Sequence, residues 1–241
     1  MSKKNCLRLI GLLVIVPFLF FSSCQKKEDY PITEKPLLYG FLSAIQNQEK
    51  LISGSDTLTV INQMGYARFL GDPNIPNVFV DAGIVTLNDS ELTKDVNNQY
   101  LKIANNLQLD NAIHWKVAGA GILPSFSFND TIFFPSYIGA LPSIVDKNAG
   151  LNLLLDTSTV KGADSVRIYI DDGGNNIVQK TFSATAGNIQ IMPSDLSVLN
   201  TVNNQTAYLG IYPYAGKLKS ISNKGFYFIR EARRGQSVNI Y

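Results

Sequence analysis

Two hydrophobic patterns share this chain. Residues 9–21 (LIGLLVIVPFLFF) form one unbroken apolar run, whereas beyond Pro36 apolar residues recur at every second position in short stretches. Ile113, Trp115 and Val117 alternate with His114 and Lys116, and Val166, Ile168 and Ile170 alternate with Arg167 and Tyr169. Leu209 and Ile211 alternate with Tyr208, Gly210 and Tyr212; Phe226 and Phe228 flank Tyr227; Val238 and Ile240 close the chain. A period of two places one set of side chains in a core and the other set outside it, which predicts β-strands. Turn formers fall between them at 71–76, 88–90, 97–98 and 171–176, where Gly, Asn and Asp accept positive φ. One short helical turn is predicted at 193–199, opened by Pro193 and polar capping residues, with Leu196 and Leu199 on one face.

Frequent Tyr and Phe, 11 and 13 in number, with close-spaced turns and no long helical periodicity, predict an all-β protein. Residues 124–142 are rich in Pro, Ser and aromatics and suggest a boundary near Leu141-Pro142. The reading is two consecutive β-sandwich domains, 37–141 and 142–241, the second of immunoglobulin-like length and strand number.

The first apolar run has its own meaning. Lys3, Lys4 and Arg8 precede it, and Ser22-Ser23 separate it from Cys24. That order predicts a cleaved export signal over 1–23, too short and too proline-broken for a spanning helix. Phe21-Ser22-Ser23-Cys24 resembles a lipobox, the processing site of bacterial lipoproteins. Cys6 leaves with the leader, so Cys24 stays as a lone thiol that lipidation explains. Several acyl chains there hold a protein on a membrane at about 0.8 kcal/mol per buried methylene. Residues 24–36 read as a tether, extended by Pro31 and Pro36 and reaching up to roughly 40 Å. Gln25-Lys26-Lys27-Glu28-Asp29 resembles the export signal of surface lipoproteins of Bacteroidota. Residues 80–89 (VDAGIVTLND), 113–126 (IHWKVAGAGILPSF), 163–170 (ADSVRIYI) and 194–199 (SDLSVL) resemble uncharacterised members of that group. The resemblance implies an outer-membrane, surface-facing location and no known activity.

Charge and chemistry narrow the function further. Without the leader, 18 basic residues face 19 acidic ones, so the basic excess that nucleic-acid binding needs is missing. The single histidine, His114, lies on the polar face of a strand with no Gly-x-Ser-x-Gly elbow in the chain, and reads as a surface residue. No catalytic residue, metal site or cofactor is predicted. Asp171-Asp172-Gly173-Gly174-Asn175-Asn176 offers clustered oxygens but reads as a hairpin loop rather than a calcium loop. Asp56-Thr57-Leu58, Asp130-Thr131-Ile132 and Asp164-Ser165-Val166 resemble O-glycosylation acceptors of Bacteroidota. Arg230, Glu231, Arg233 and Arg234 read as a solvated hairpin tip. Phe126, Phe128, Phe133, Phe134 and Tyr137 are candidate ligand contacts, because aromatic faces stack on sugars or peptides; packing in a core or between domains is the alternative. Tyr208, Tyr212 and Tyr214 form a second aromatic stripe, expected to pack sheet on sheet.

These observations predict a non-enzymatic binding or adhesion module, held on a membrane through lipid on Cys24, with glycans as candidate ligands. The alternative is a structural or assembly partner of an outer-membrane protein complex.

Overall fold

A computed structural model describes residues 36–241 except 54, 55, 110, 111 and 132; for 50–53, 56 and 57 it describes the backbone alone. The leader, Cys24 and the tether up to residue 35 lie outside the described residues.

The protein is all-β. The first half holds β1 (Leu38–Ser53), β2 (Asp56–Phe69), β3 (Val85–Leu87), β4 (Ser90–Glu91), β5 (Thr93–Lys94), β6 (Gln99–Ala104), β7 (Ile113–Val117) and β8 (Phe126–Asp130). After these come β9 (Ser136–Tyr137), β10 (Ile144–Val145), β11 (Leu151–Leu155), β12 (Val160–Lys161), β13 (Ser165–Asp171), β14 (Ile177–Ser183) and β15 (Gly187–Ile191). A single helical turn, α1 (Pro193–Leu196), then precedes β16 (Val202–Ile221) and β17 (Lys224–Ile240). The predicted turns are present: Asn88 and Asp89 take φ of 48° and 60° between β3 and β4, and residues 172–176 join β13 to β14.

One long sheet organises the molecule, in the order β14-β13-β16-β17-β1-β2-β6-β5, with β10 also paired to β17. Two long hairpins, β1–β2 and β16–β17, lie side by side in it. They join through a parallel pairing of β1 with β17, from Leu38 opposite Gly225 to Lys50 opposite Gln236. Alternation along these strands gives the sheet an inner and an outer face.

The inner face carries two apolar clusters. At one end Leu42, Ala67, Phe69, Tyr100, Phe226 and Phe228 meet Val85, Leu87, Ile113, Trp115 and Val117 of the small β4-β3-β7-β8 sheet. At the other, Val166, Ile168, Ile170, Leu209, Ile211, Val238 and Ile240 meet Leu151, Leu153, Leu155, Ile189 and Ile191 of the β11–β15 pair. Each fully buried Leu, Ile or Phe contributes about 1.5–3 kcal/mol, so both halves have a substantial core. The expected division at 141–142 does not fall between independent sheets, because the long sheet draws strands from both sides of it. Most first-cluster members precede it and most second-cluster members follow it, but Phe226 and Phe228 of the last strand cross to the first cluster.

Between the clusters the inner face turns polar, and the crossover from β8 to β10 runs over it. Arg230 Nη1 donates to the Phe133 carbonyl at 2.7 Å, and its Nε pairs with Asp130 at 3.2 Å. Arg234 donates to the carbonyls of Tyr137 and Gly139, and Gln236 to those of Leu141 and Pro142. Residues 230, 234 and 236 share one face of β17, so a single strand fastens the whole segment. This corrects the expectation for 230–234. The charges there are not a solvated tip: they sit in mid-strand, with Arg230 and Glu231 buried, and the hairpin turns at Ser222-Asn223 instead.

Candidate functional site

The crossover disperses the aromatic residues singled out in the sequence. Phe126 packs on Phe226 and Phe228, with ring centroids at 4.6 and 6.2 Å, and Phe128 stacks on Phe228 at 3.8 Å. Phe134 packs partly buried against the first cluster, and Tyr137 is buried in the second. Phe133 alone is open, at 83% exposure. These five residues form no common surface.

The tyrosine stripe of β16 lies on the face opposite both clusters, so it does not pack sheet on sheet as expected. Two glycines shape that face. Gly210 of β16 stands opposite Gly235 of β17, and Glu49 of β1 follows in the same row. With no side chain in the middle of the row, neighbouring rings lie flat across it. A Cβ at Gly235 would strike Tyr208 Oη, and one at Gly210 would strike the ring of Tyr212. Farther along, a Cβ at Gly216 would strike Tyr227 Oη in the same way. Aromatic side chains covering glycines are a known device for stabilising a bare patch of sheet.

The result is a shallow basin of about 470 Å³, lined by Tyr169, Tyr208, Tyr212, Arg167, Arg233 and Glu49, with Gln179 at the rim. Tyr169 pairs across the strands with Gly210, stacked near-parallel on Tyr212 with centroids 6.1 Å apart and edge-on to Tyr208 at 6.2 Å. The Tyr212 hydroxyl donates to Tyr208 Oη at 3.2 Å, and Tyr208 in turn donates to Glu49 Oε1 at 2.8 Å. Burial is the main reason that the Tyr212 hydroxyl is pushed up to about 12. Tyr208 is raised further, by burial first and then by Tyr212 and Glu49. Both phenols therefore stay protonated at any physiological pH.

Glu231, nearly fully buried, links the two arginines. Its carboxylate pairs with Arg233 Nε at 2.6 Å and Arg167 Nη1 at 3.3 Å. Arg167 and Arg233 also lie over the rings of Tyr214 and Tyr212, each at 5.4 Å, an attraction of about 0.5–1 kcal/mol for partly exposed pairs. Two arginines against Glu49 and Glu231 leave the basin formally neutral. Aromatic faces, planar guanidinium donors and fixed hydroxyls around a neutral floor suit an uncharged ligand with hydroxyl groups. They do not suit a polyanion.

The other predicted positions fall elsewhere. His114 lines a separate shallow pocket with Asn88, Asp89 and Gln108. Asp172 accepts hydrogen bonds from the backbone N–H groups of Gly174, Asn176 and Asn200 and from the side-chain amides of Asn176 and Asn200. Led by the Asn200 N–H, these donors hold its carboxyl well below the usual range and fill its lone pairs from within the protein. Among the described residues no group of three or more His, Cys, Asp or Glu could hold a metal ion. Thr131 is exposed beside the buried Asp130; Ser165 is half-buried, while Asp164 accepts from the Gly216 N–H at 3.0 Å.

No family model, curated protein or solved structure matches this chain. Sequence reasoning missed Glu49, Tyr169, Gln179, Arg167 and Arg233 as members of one site. The available signal was Tyr208-x-Gly210-x-Tyr212 on one strand face, a glycine flanked by two tyrosines where a strand normally carries side chains.

Proposed function

We propose that this chain is a lipid-anchored, non-catalytic binding module of the outer cell surface, and that it holds neutral glycans against the outer face of its long sheet. The single observation that carries this reading is the flat tyrosine floor over Gly210 and Gly235, edged by Arg167, Arg233 and Glu49. A sugar ring presents an apolar face to an aromatic ring and hydroxyls to its rim, and the basin offers partners for both. Fixing these side chains in the unliganded protein reduces the ordering cost of binding.

The anchor in this proposal is Cys24, lipidated after removal of residues 1–23, with 24–36 as the tether. The preferred architecture is two β-sandwiches of immunoglobulin-like type sharing the long sheet. Absence of catalysis belongs to the same reading: Glu231 is occupied by two arginines and Glu49 by a tyrosine hydroxyl, so neither carboxylate of the basin is free to serve as a general acid or base.

The test is a glycan array probed with the full chain purified in detergent, beside its Tyr169→Ala variant. Signal on a family of neutral glycans, lost in the variant, is expected. An array without signal, or one on which the variant matches the wild type, contradicts the proposal.

A further inference from the structure

Four segments meet at the end of the long sheet where the described chain begins. Leu37 precedes β1, residues 71–78 follow β2, residues 95–98 join β5 to β6, and Ser222-Asn223 turns β16 into β17. Hydrogen bonds fasten them to one another. The Gly225 N–H donates to the Leu37 carbonyl at 2.8 Å, the Leu70 N–H to the Tyr39 carbonyl at 2.8 Å, and the Asn98 side-chain amide to the Phe79 carbonyl at 3.1 Å.

Two of these segments are tight turns that carry apolar side chains outward. Asp72 Oδ1 accepts from the Asn74 N–H at 2.8 Å, and the Asp72 carbonyl accepts from the Ile75 N–H at 3.1 Å. Asp95 Oδ1 accepts from the N–H groups of Asn97 and Gln99, each at 2.8 Å. Leu37, Ile75 and Val78 are exposed, and Val96 is 97% exposed. A single exposed aliphatic residue is ordinary. Four on adjoining segments make an apolar end, and Val96 gains nothing for folding at its tip, since it buries almost no area there. The remaining segment is basic. Lys217, Lys219 and Lys224 flank the β16–β17 turn, and no acidic residue falls between 215 and 229. None of the three lysines has a carboxylate partner among the described residues.

We infer that this end of the protein rests on the membrane surface, with Ile75, Val78 and Val96 in the headgroup boundary and the hairpin lysines against lipid phosphates. The inference rests on the proposed anchor at Cys24, and its test separates the two. Two observations select a bilayer as the occupant. Residues 24–35, which the anchor ties to the membrane, join the described chain at Pro36, on this same end. Rigid apolar tips beside unpaired lysines also match the order of a bilayer, acyl chains beneath phosphates. The contact has a consequence for the tyrosine basin. From Tyr39 to Glu49, β1 runs roughly 30 Å, so the basin stays clear of the lipid.

The test is fluorescence quenching on the full chain reconstituted into vesicles of phosphatidylcholine and phosphatidylglycerol. Val78→Cys, Val96→Cys and Asn175→Cys, the last in the loop at the other end of the sheet, are each labelled with bimane, and a melting curve checks folding. Nitroxide-bearing lipids quench from the bilayer and acrylamide quenches from the water. The expected result is nitroxide quenching with loss of acrylamide quenching at 78 and 96, and the reverse at 175. Labels at 78 and 96 that behave like the one at 175 overturn the contact. Shielding from acrylamide without nitroxide quenching overturns it too, because a protein partner or a second copy then covers this end. Wild type should take up no dye, since lipidation blocks Cys24. Dye on wild-type Cys24, with the expected quenching pattern in vesicle-bound protein, sinks the anchor and leaves the contact standing. Wild type that fails to float with the vesicles overturns both.

Discussion

Replacing Arg230 with alanine should destabilise the protein severely, although the residue lies in a run of charges that resembles a surface tip. The side chains of Arg230 and Asp130 are only 9% and 5% exposed, so solvent screens the pair weakly. Truncating one member of a buried ion pair costs about 3–5 kcal/mol, because the other charge stays desolvated without its counter-ion. The same truncation removes the donor to the Phe133 carbonyl and so loosens the end of β8 and the start of the crossover. Urea unfolding followed by far-UV circular dichroism reads the loss as a shift of midpoint at constant slope. The double variant Arg230→Met with Asp130→Leu separates the two contributions, since an apolar pair of similar volume removes both buried charges together. It should recover most of the loss. A cost below about 1 kcal/mol for Arg230→Ala, the value of an exposed pair, would refute the buried clamp. Strict additivity of the losses measured for Arg230→Met and Asp130→Leu singly in the double variant would refute it as well.

Three further outcomes are expected. Gly235→Ala should destabilise by about 1–3 kcal/mol and change the near-UV circular dichroism of the tyrosines, because the new methyl group occupies the place of Tyr208 Oη; an unchanged spectrum argues against the flat ring. Asp81 is held down to about 2, first by the hydrogen bond from Lys94, then by the Tyr100 hydroxyl and the Gly83 N–H. Its folded value lies below the ordinary 3.8, so its contribution is complete above that pH and is lost as pH falls toward about 2. Asp81→Asn should therefore flatten the acid limb of the urea midpoint across this window, and a limb identical to wild type counts against the assignment. For the proposed anchor, Cys24→Ser should move the expressed chain out of the membrane fraction or leave it unprocessed, and correct maturation with retention in the bilayer would contradict lipidation.

Much of the fold was legible where burial is one-sided. Ile113-Trp115-Val117 and Val166-Ile168-Ile170 alternate cleanly because one face of each strand meets a core and the other is partly or fully open to water, and Leu209-Ile211 because its second face carries tyrosines and a glycine in place of aliphatic residues. The loop at 172–176 and the turn α1 announced themselves through Gly, Asn and Pro. The long hairpins were harder to see. In the middle of β17 neither face is simply apolar: inward Arg230, Arg234 and Gln236 fasten the crossover, and outward Glu231 and Arg233 belong to the tyrosine basin. Period-two reading finds charged residues on both faces and no large apolar residue there, and infers a turn. For the same reason β1 and β2, whose inward Gln46, Gln48 and Gln63 interrupt the apolar alternation, were not picked out. The site was only partly legible. The tyrosines of β16 were visible as a stripe, but Glu49 is 159 residues from Tyr208 in the chain, and only the parallel pairing of β1 with β17 brings it near.

The most direct test of the central claim is the affinity of the tyrosine basin for a neutral saccharide identified on the array, measured by calorimetry on wild type, Tyr169→Ala and Arg233→Ala. A neutral ligand should bind wild type equally at low and high salt, since screening acts on charge. Each variant should bind at least about tenfold more weakly, a loss of about 1.4 kcal/mol. Equal affinity in all three proteins, or an affinity that collapses with added salt, would contradict the account.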